Sequence, residues 1–230
     1  MSLTRIGVFA LTSLWVGIAL AAGGGSMPSG PSVSNFEPRE LPPEEKAKQS
    51  YNAGIKSIKK AKDYEADAAK AATPEKKAKA TEKANKAYNT ALAQFTEAVT
   101  NKADMVEAWN YVGFANRHLG AYAESLEAYD HALSLNPKYF EAVEYRGEAY
   151  LGLNRIDDAK TAYMDLYRDA RPLSDQLLGA MQQWVTERRA DGKGLAAAQL
   201  DSFEQWLSER TTIAKQTASL GSGEAVRSWK

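Results

Sequence analysis

The stretch WNYVGFANRHLGAYAESLEAYDHALSLNP, residues 109–137, decides how the rest of the chain is read. Trp109, Val112 and Asn116 recur at helical intervals, which predicts one stripe of a helix turned toward a partner. Gly113 and Ala132 are small where two packed helices must approach closely, and Tyr129 is large enough to fill the space between them. Gly120 can take the positive φ that ends a first helix, and Pro137 blocks continuation of a second. A single hairpin of this kind cannot bury its apolar face alone, so further copies are expected in the same chain.

Counted from Val106 as the first position of a 34-residue unit, Trp109, Val112 and Gly113 form a W-x2-L-G-like opening. Gly120 and Tyr122 fall at the turn, and Tyr129, Ala132 and Pro137 complete the second helix. On these residues the stretch resembles a tetratricopeptide repeat, with Asn116 and Ser125 departing from the usual aromatic and alanine. A second copy begins without a gap from Phe140. Val143 replaces the tryptophan, Gly147 and Tyr150 hold their places, Asn154 replaces the turn glycine, and Ala159 and Tyr163 come next. Pro172 arrives one residue late. Leu166 stands where the second small alanine belongs, so this unit should pack differently onto the segment C-terminal to it. The resemblance implies an all-α solenoid of helical hairpins.

Upstream, Tyr51-Asn-Ala-Gly54 resembles the opening of another repeat, whose closing half appears at Ala91, Phe95 and Ala98. The family places the first two landmarks, glycine and alanine, 12 residues apart; Gly54 and Ala91 are 37 apart. About 25 additional residues must therefore be shared by the two helices. Thr73-Pro74-Glu75 supplies an N-cap, a first-turn proline and an acid near a helix start, so the turn belongs there. Each helix should be elongated by about 12 residues, projecting roughly 18 Å beyond a regular unit. The arm between about Lys62 and Lys83 is expected to stand clear of the core.

The ends read differently. Residues 1–22 have a positive start at Arg5, an apolar run from Ile6 to Leu20 and the small-x-small site Ala19-Leu20-Ala21, the pattern of a cleaved signal peptide. The run is short for a membrane span, which takes about 20 apolar residues. The chain has no cysteine, which excludes both a lipid-anchored lipoprotein and disulfide support. Residues 23–43 are rich in glycine, serine and proline and read as a flexible tether. The organisation expected from there is an elongated hairpin over 44–105, repeats over 106–139 and 140–173, C-terminal helices over 174–218 and a polar tail over 219–230. Ser174 should cap a helix carrying Leu177, Leu178, Met181, Trp184 and Val185 and ending near Asp191-Gly192. A last helix should run from about Leu195 to Ala214 and shield the end of the array. The tail from Gly221 to Lys230 is expected to lack order.

Twenty-nine basic and twenty-nine acidic residues give a formal charge of zero, so there is no bulk attraction to nucleic acid or acidic membranes. Nucleophilic cysteine chemistry is excluded, and His118 and His131 form no metal or catalytic pairing at their spacing. No cofactor, metal or enzymatic role is expected. A non-enzymatic scaffold that binds a protein or peptide partner is expected instead, exported to the periplasm or an equivalent exterior compartment and serving envelope assembly or secretion. Two alternatives are a homo-oligomeric spacer and a protein that binds an envelope polymer through the Lys-rich hairpin.

By the resemblance, the second, fifth, ninth and twelfth positions of each first helix line a concave face. These are Lys48, Tyr51, Ile55 and Ile58, then Glu107, Asn110, Phe114 and Arg117, then Glu141, Glu144, Glu148 and Leu151. The candidate partner-binding residues are Tyr51, Ile55, Asn110, Phe114, Arg117, Glu141, Glu144 and Glu148. Tyr51 and Phe114 would be aromatic anchors, and three glutamates at one end would favour an apolar peptide with a basic end.

Overall fold

The structure is a computed structural model that describes residues 40–192 and 195–221. Residues 1–39 and 222–230, which hold the expected signal peptide, most of the tether and most of the tail, lie outside the described residues. Within them the regular elements are eight helices: α1 (Pro43–Ala69), α2 (Pro74–Asn101), α3 (Val106–His118), α4 (Tyr122–Leu135), α5 (Phe140–Gly152), α6 (Ile156–Asp169), α7 (Arg171–Asp191) and α8 (Ala197–Gly221). Each packs on the next in the chain, and α5 also touches α3 and α7. That pattern is a helical-repeat solenoid in which α1, α3, α5 and α7 take the place of first helices. No described helix is long and apolar enough to cross a membrane.

The turns form where the sequence provides for them. Gly120 takes φ +79° and Asn154 takes φ +59°, the left-handed conformation that glycine and asparagine tolerate best. Gly192 takes φ +64° and caps α7. At the first turn, Thr73 is extended and its hydroxyl accepts the Lys76 amide at 3.3 Å, with Pro74 as the first helical residue. The two helices it joins have 27 and 28 residues, against 13 and 14 for α3 and α4.

Close approach explains the hairpin glycines. A Cβ on Gly54 would lie 2.6 Å from the Phe95 ring, and one on Gly113 would lie 2.5 Å from Tyr129. In the third repeat the partner changes. A Cβ on Gly147 would meet Leu177 of α7 at 2.6 Å. Leu166, with no exposed surface, belongs to a core that runs on through Leu177, Met181, Phe203 and Leu207. The large residue at the alanine position thus passes the packing to α7 and α8, the different arrangement its size predicts.

Three boundaries move. The tether yields its last residue to α1, since Pro43 is already helical behind Pro42. Ser174 does not cap α7: the helix begins at Arg171, Pro172 lies in its first turn, and the buried Ser174 hydroxyl donates to the Arg171 carbonyl at 2.8 Å. Proline suits a first turn because its missing N–H would have no helical acceptor there. The last helix extends to Gly221 rather than Ala214, taking in the first residues assigned to the tail.

Candidate functional site

The first-helix face is built on a register that places equivalent residues 34 apart in α3 and α5. Tyr51, Asn110 and Glu144 share one position, Ile55, Phe114 and Glu148 the next, and Arg117 and Leu151 the last. The structure brings these residues onto neighbouring helices but does not leave them equally open.

Tyr51 is half-buried, its ring 5.7 Å from Phe95 and 5.9 Å from Tyr111, edge to face in both cases. Burial, then the neighbouring Tyr111 and Glu107, push its hydroxyl up to about 12. Ile55 is half-buried against the same aromatic cluster. Asn110 is 2% exposed, and its Oδ1 has no hydrogen-bond partner among the described residues. Glu141 is exposed, as is Glu107 one repeat earlier.

Phe114 is not an open anchor. It is 3% exposed, with Tyr145 at 5.2 Å and His118 at 4.3 Å between ring centroids. Lys62 lies 5.0 Å over the ring and Arg117 lies 5.3 Å from it. The cover comes from the length of α1. Continuing past a regular first helix, it carries Lys62 over Phe114 and sets Glu65 3.0 Å from His118 Nδ1. Burial pushes the Glu65 carboxyl up, but His118 and Tyr88 beside it outweigh burial and hold it below its ordinary range. The lower part of the arm, expected to stand clear, therefore belongs to the core.

The acidic end is also altered. Glu148 accepts from Arg117 Nη1 at 2.5 Å, a pair with little exposure on either side. Burial pushes the Arg117 guanidinium down, but Glu148 and the Tyr129 hydroxyl outweigh it and raise it. Glu144, one turn before Glu148, is 3% exposed. Its carboxyl is pushed up to about 8 by burial and by Glu148, with Arg117 opposing. Burial thus favours the uncharged form of Glu144, and the Arg117 guanidinium offsets the charge of Glu148. Of the three expected charges, Glu141 alone faces solvent without an ion pair among the described residues.

Three tyrosines complete the face and were not among the candidates. Tyr111 stacks on Phe95 at 4.9 Å, Tyr145 bridges Phe114 and Tyr129, and Tyr139 precedes α5. All three are half-buried. The Tyr139 hydroxyl is raised by burial and then by Glu141, Glu107, Tyr51 and Tyr111, which places those five groups in one neighbourhood. The available signal was the 34-residue spacing of Tyr111 and Tyr145, at a position that the family does not assign to the groove. The arrangement offers a row of ring edges beside two solvated carboxylates. Ring edges and faces take apolar side chains and the stems of cationic ones, and the carboxylates take the charge.

Comparison with known protein families matches residues 106–139 to the tetratricopeptide repeat. The search of curated proteins finds no match. The matched unit is α3–α4, and the hairpins on either side repeat its glycine register, so the chain carries a tetratricopeptide repeat within an all-α helical-repeat solenoid.

Proposed function

We propose that the protein is an exported, non-enzymatic scaffold that holds an extended segment of a protein partner along the first-helix face. Tetratricopeptide repeats point to a protein-interaction scaffold in general. The observation that supports this particular face is the row Tyr51, Tyr111, Tyr139 and Tyr145 flanked by the solvated Glu107 and Glu141. Such a row favours an apolar segment that carries lysine or arginine, with the tyrosines supplying contact area at low entropic cost and the carboxylates setting direction. Selection from a random peptide library against the full chain tests the reading. Enrichment of apolar peptides with a basic residue supports it, and enrichment of acidic peptides contradicts it.

Export rests on residues 1–22, and a role in envelope assembly or secretion would go with that location. N-terminal sequencing of the protein recovered from its compartment should give a chain that begins after Ala21 or Ala22. A mature chain that begins at Met1 or Ser2 removes the export reading.

A second reading has its own observation. Between Lys56 and Lys86 ten lysines face five acidic residues. Of these lysines, Lys86 is held in an ion pair with Glu82, whereas Lys56, Lys59, Lys60, Lys70, Lys76, Lys77 and Lys79 are exposed and carry no ion pair among the described residues. An anionic polymer would be drawn to that arm, whereas the two carboxylates beside the tyrosine face would repel it.

A further inference from the structure

A cleft of about 690 Å³ opens beside the third repeat, lined by Leu133, Pro137, Phe140, Val143 and Asp165 among others. Its position in the repeat explains it. Val143 stands 34 residues after Trp109, where this unit has valine in place of tryptophan. In the preceding unit the indole fills the equivalent space. Trp109 Nε1 donates to the Ala103 carbonyl at 2.8 Å, and its ring lies 4.1 Å from His131. It packs against the cluster that contains Ala132, as Val106 does, and against the cluster that contains Val99. Adding 34 to Val99, Ala103, Val106 and His131 gives Leu133, Pro137, Phe140 and Asp165, and every one of these lines the cleft. The cleft is a tryptophan socket whose own tryptophan is absent, and Pro137 holds the register position of the carbonyl that receives the indole N–H.

The chain carries a tryptophan within reach. In α8, Thr217 Oγ1 lies 3.4 Å from the Tyr167 hydroxyl and 2.5 Å from Arg171 Nη2, so the last turns of α8 run beside the end of α6. Asp165 of the socket stands on that same end of α6, on the side away from Tyr167. Trp229 lies eight residues beyond Gly221, the last of α8. Extended, they span at most about 28 Å, against a helix diameter of about 10–12 Å. The segment has only to round one helix. We infer that Trp229 of the C-terminal segment occupies the Val143 socket, completing the third repeat with an indole supplied from outside it.

The absence of cysteine allows a clean test in the full chain. Lys138→Cys places a single nitroxide on the rim of the socket, and 5-fluorotryptophan labelling makes each indole visible by fluorine NMR. The Trp229 resonance is identified by its loss in Trp229→Phe. The expected result is at least severalfold broadening of that resonance when the nitroxide is oxidised, independent of protein concentration. Val143→Trp, which fills the socket, should abolish the broadening. An equally sharp Trp229 line in both nitroxide states overturns the inference, and this outcome does not depend on the Val143 variant folding. Broadening that grows with concentration overturns it in favour of a second copy's segment. Broadening that survives in a folded Val143→Trp protein places the segment near the rim but outside the socket, and also overturns it.

Discussion

The α1–α2 and α3–α4 hairpins are closed by the same contact and then diverge. In each, a glycine of the first helix sits against an aromatic ring of the second, Gly54 on Phe95 and Gly113 on Tyr129. Beyond that junction α3–α4 reaches its turn at Gly120, whereas α1 continues for about 10 residues more and α2 starts about 14 residues earlier. The extra length divides into two parts. The near part is core: Ala61 and Ala84 are buried, and Lys62 and Glu65 cover the end of α3. The far part is solvated, with every residue from Ala72 to Lys79 exposed. An elongated hairpin can thus do two jobs, sealing its neighbour with the first turns of the extension and presenting charge with the last.

The largest effect should come from breaking the junction that the two hairpins share. Gly113→Leu forces a branched side chain into the space of the Tyr129 ring, and overpacking there should cost about 3 kcal/mol or more. That corresponds to roughly 6–12 °C in Tm for a chain of this size. Gly54→Leu should cost a similar amount through Phe95. An unchanged midpoint in either variant would mean that the junction does not hold the hairpin.

The next effect separates α5 from α3. At the position where α3 carries Asn110, α5 carries Glu144, whose folded value of about 8 stands above its ordinary 4.5. The folded protein therefore holds a proton that the unfolded chain releases between those values. The stabilisation from this group is complete below about pH 4.5 and is lost as pH rises through about 8. Glu144→Gln, which stays neutral, should gain on the wild type by up to about 5 kcal/mol between pH 4.5 and 8. Parallel stability curves for the two proteins over that range would show that Glu144 is not held protonated by the fold.

Smaller effects sharpen the division of the arm. Thr73→Ala removes the cap of α2 and should cost about 1 kcal/mol, felt as faster amide exchange around the turn rather than as global unfolding. Excising Lys70 to Lys79 and closing with a short turn should shift Tm by no more than about 2 °C. A deletion carried to Glu65 removes the contact with His118 and should destabilise α3 visibly. If the short excision unfolds the protein, the far part is core as well.

Much of this was legible in the sequence, for reasons that differ by residue. The junction glycines, the turn at Thr73-Pro74 and the elongation come from spacing and from residues with few conformational alternatives. The handover at Gly147 was signalled by Leu166, too large for its position. The cover over Phe114 could not be read. Lysine and glutamate on an alanine-rich helix look like a solvated face, yet the Lys62 ammonium lies 5.0 Å over the Phe114 ring. Glu144 misleads in the same way, since its surroundings depend on Glu148 arriving from the next turn and Arg117 from another helix. Tyr111, Tyr139 and Tyr145 were missed because the family's groove positions direct attention to neighbouring registers.

Recognition by the tyrosine face, rather than by the lysine arm, is open to calorimetric titration of one library-selected basic, apolar peptide into three full-length proteins. These are the wild type, the face variant Glu107→Lys/Glu141→Lys, and the arm variant Lys70→Glu/Lys76→Glu/Lys77→Glu/Lys79→Glu. Binding should be roughly tenfold weaker in the face variant at low salt, about 1.4 kcal/mol, and unchanged in the arm variant apart from long-range attraction that salt removes. Full affinity in the face variant, with binding at physiological salt altered only in the arm variant, would contradict recognition by the face.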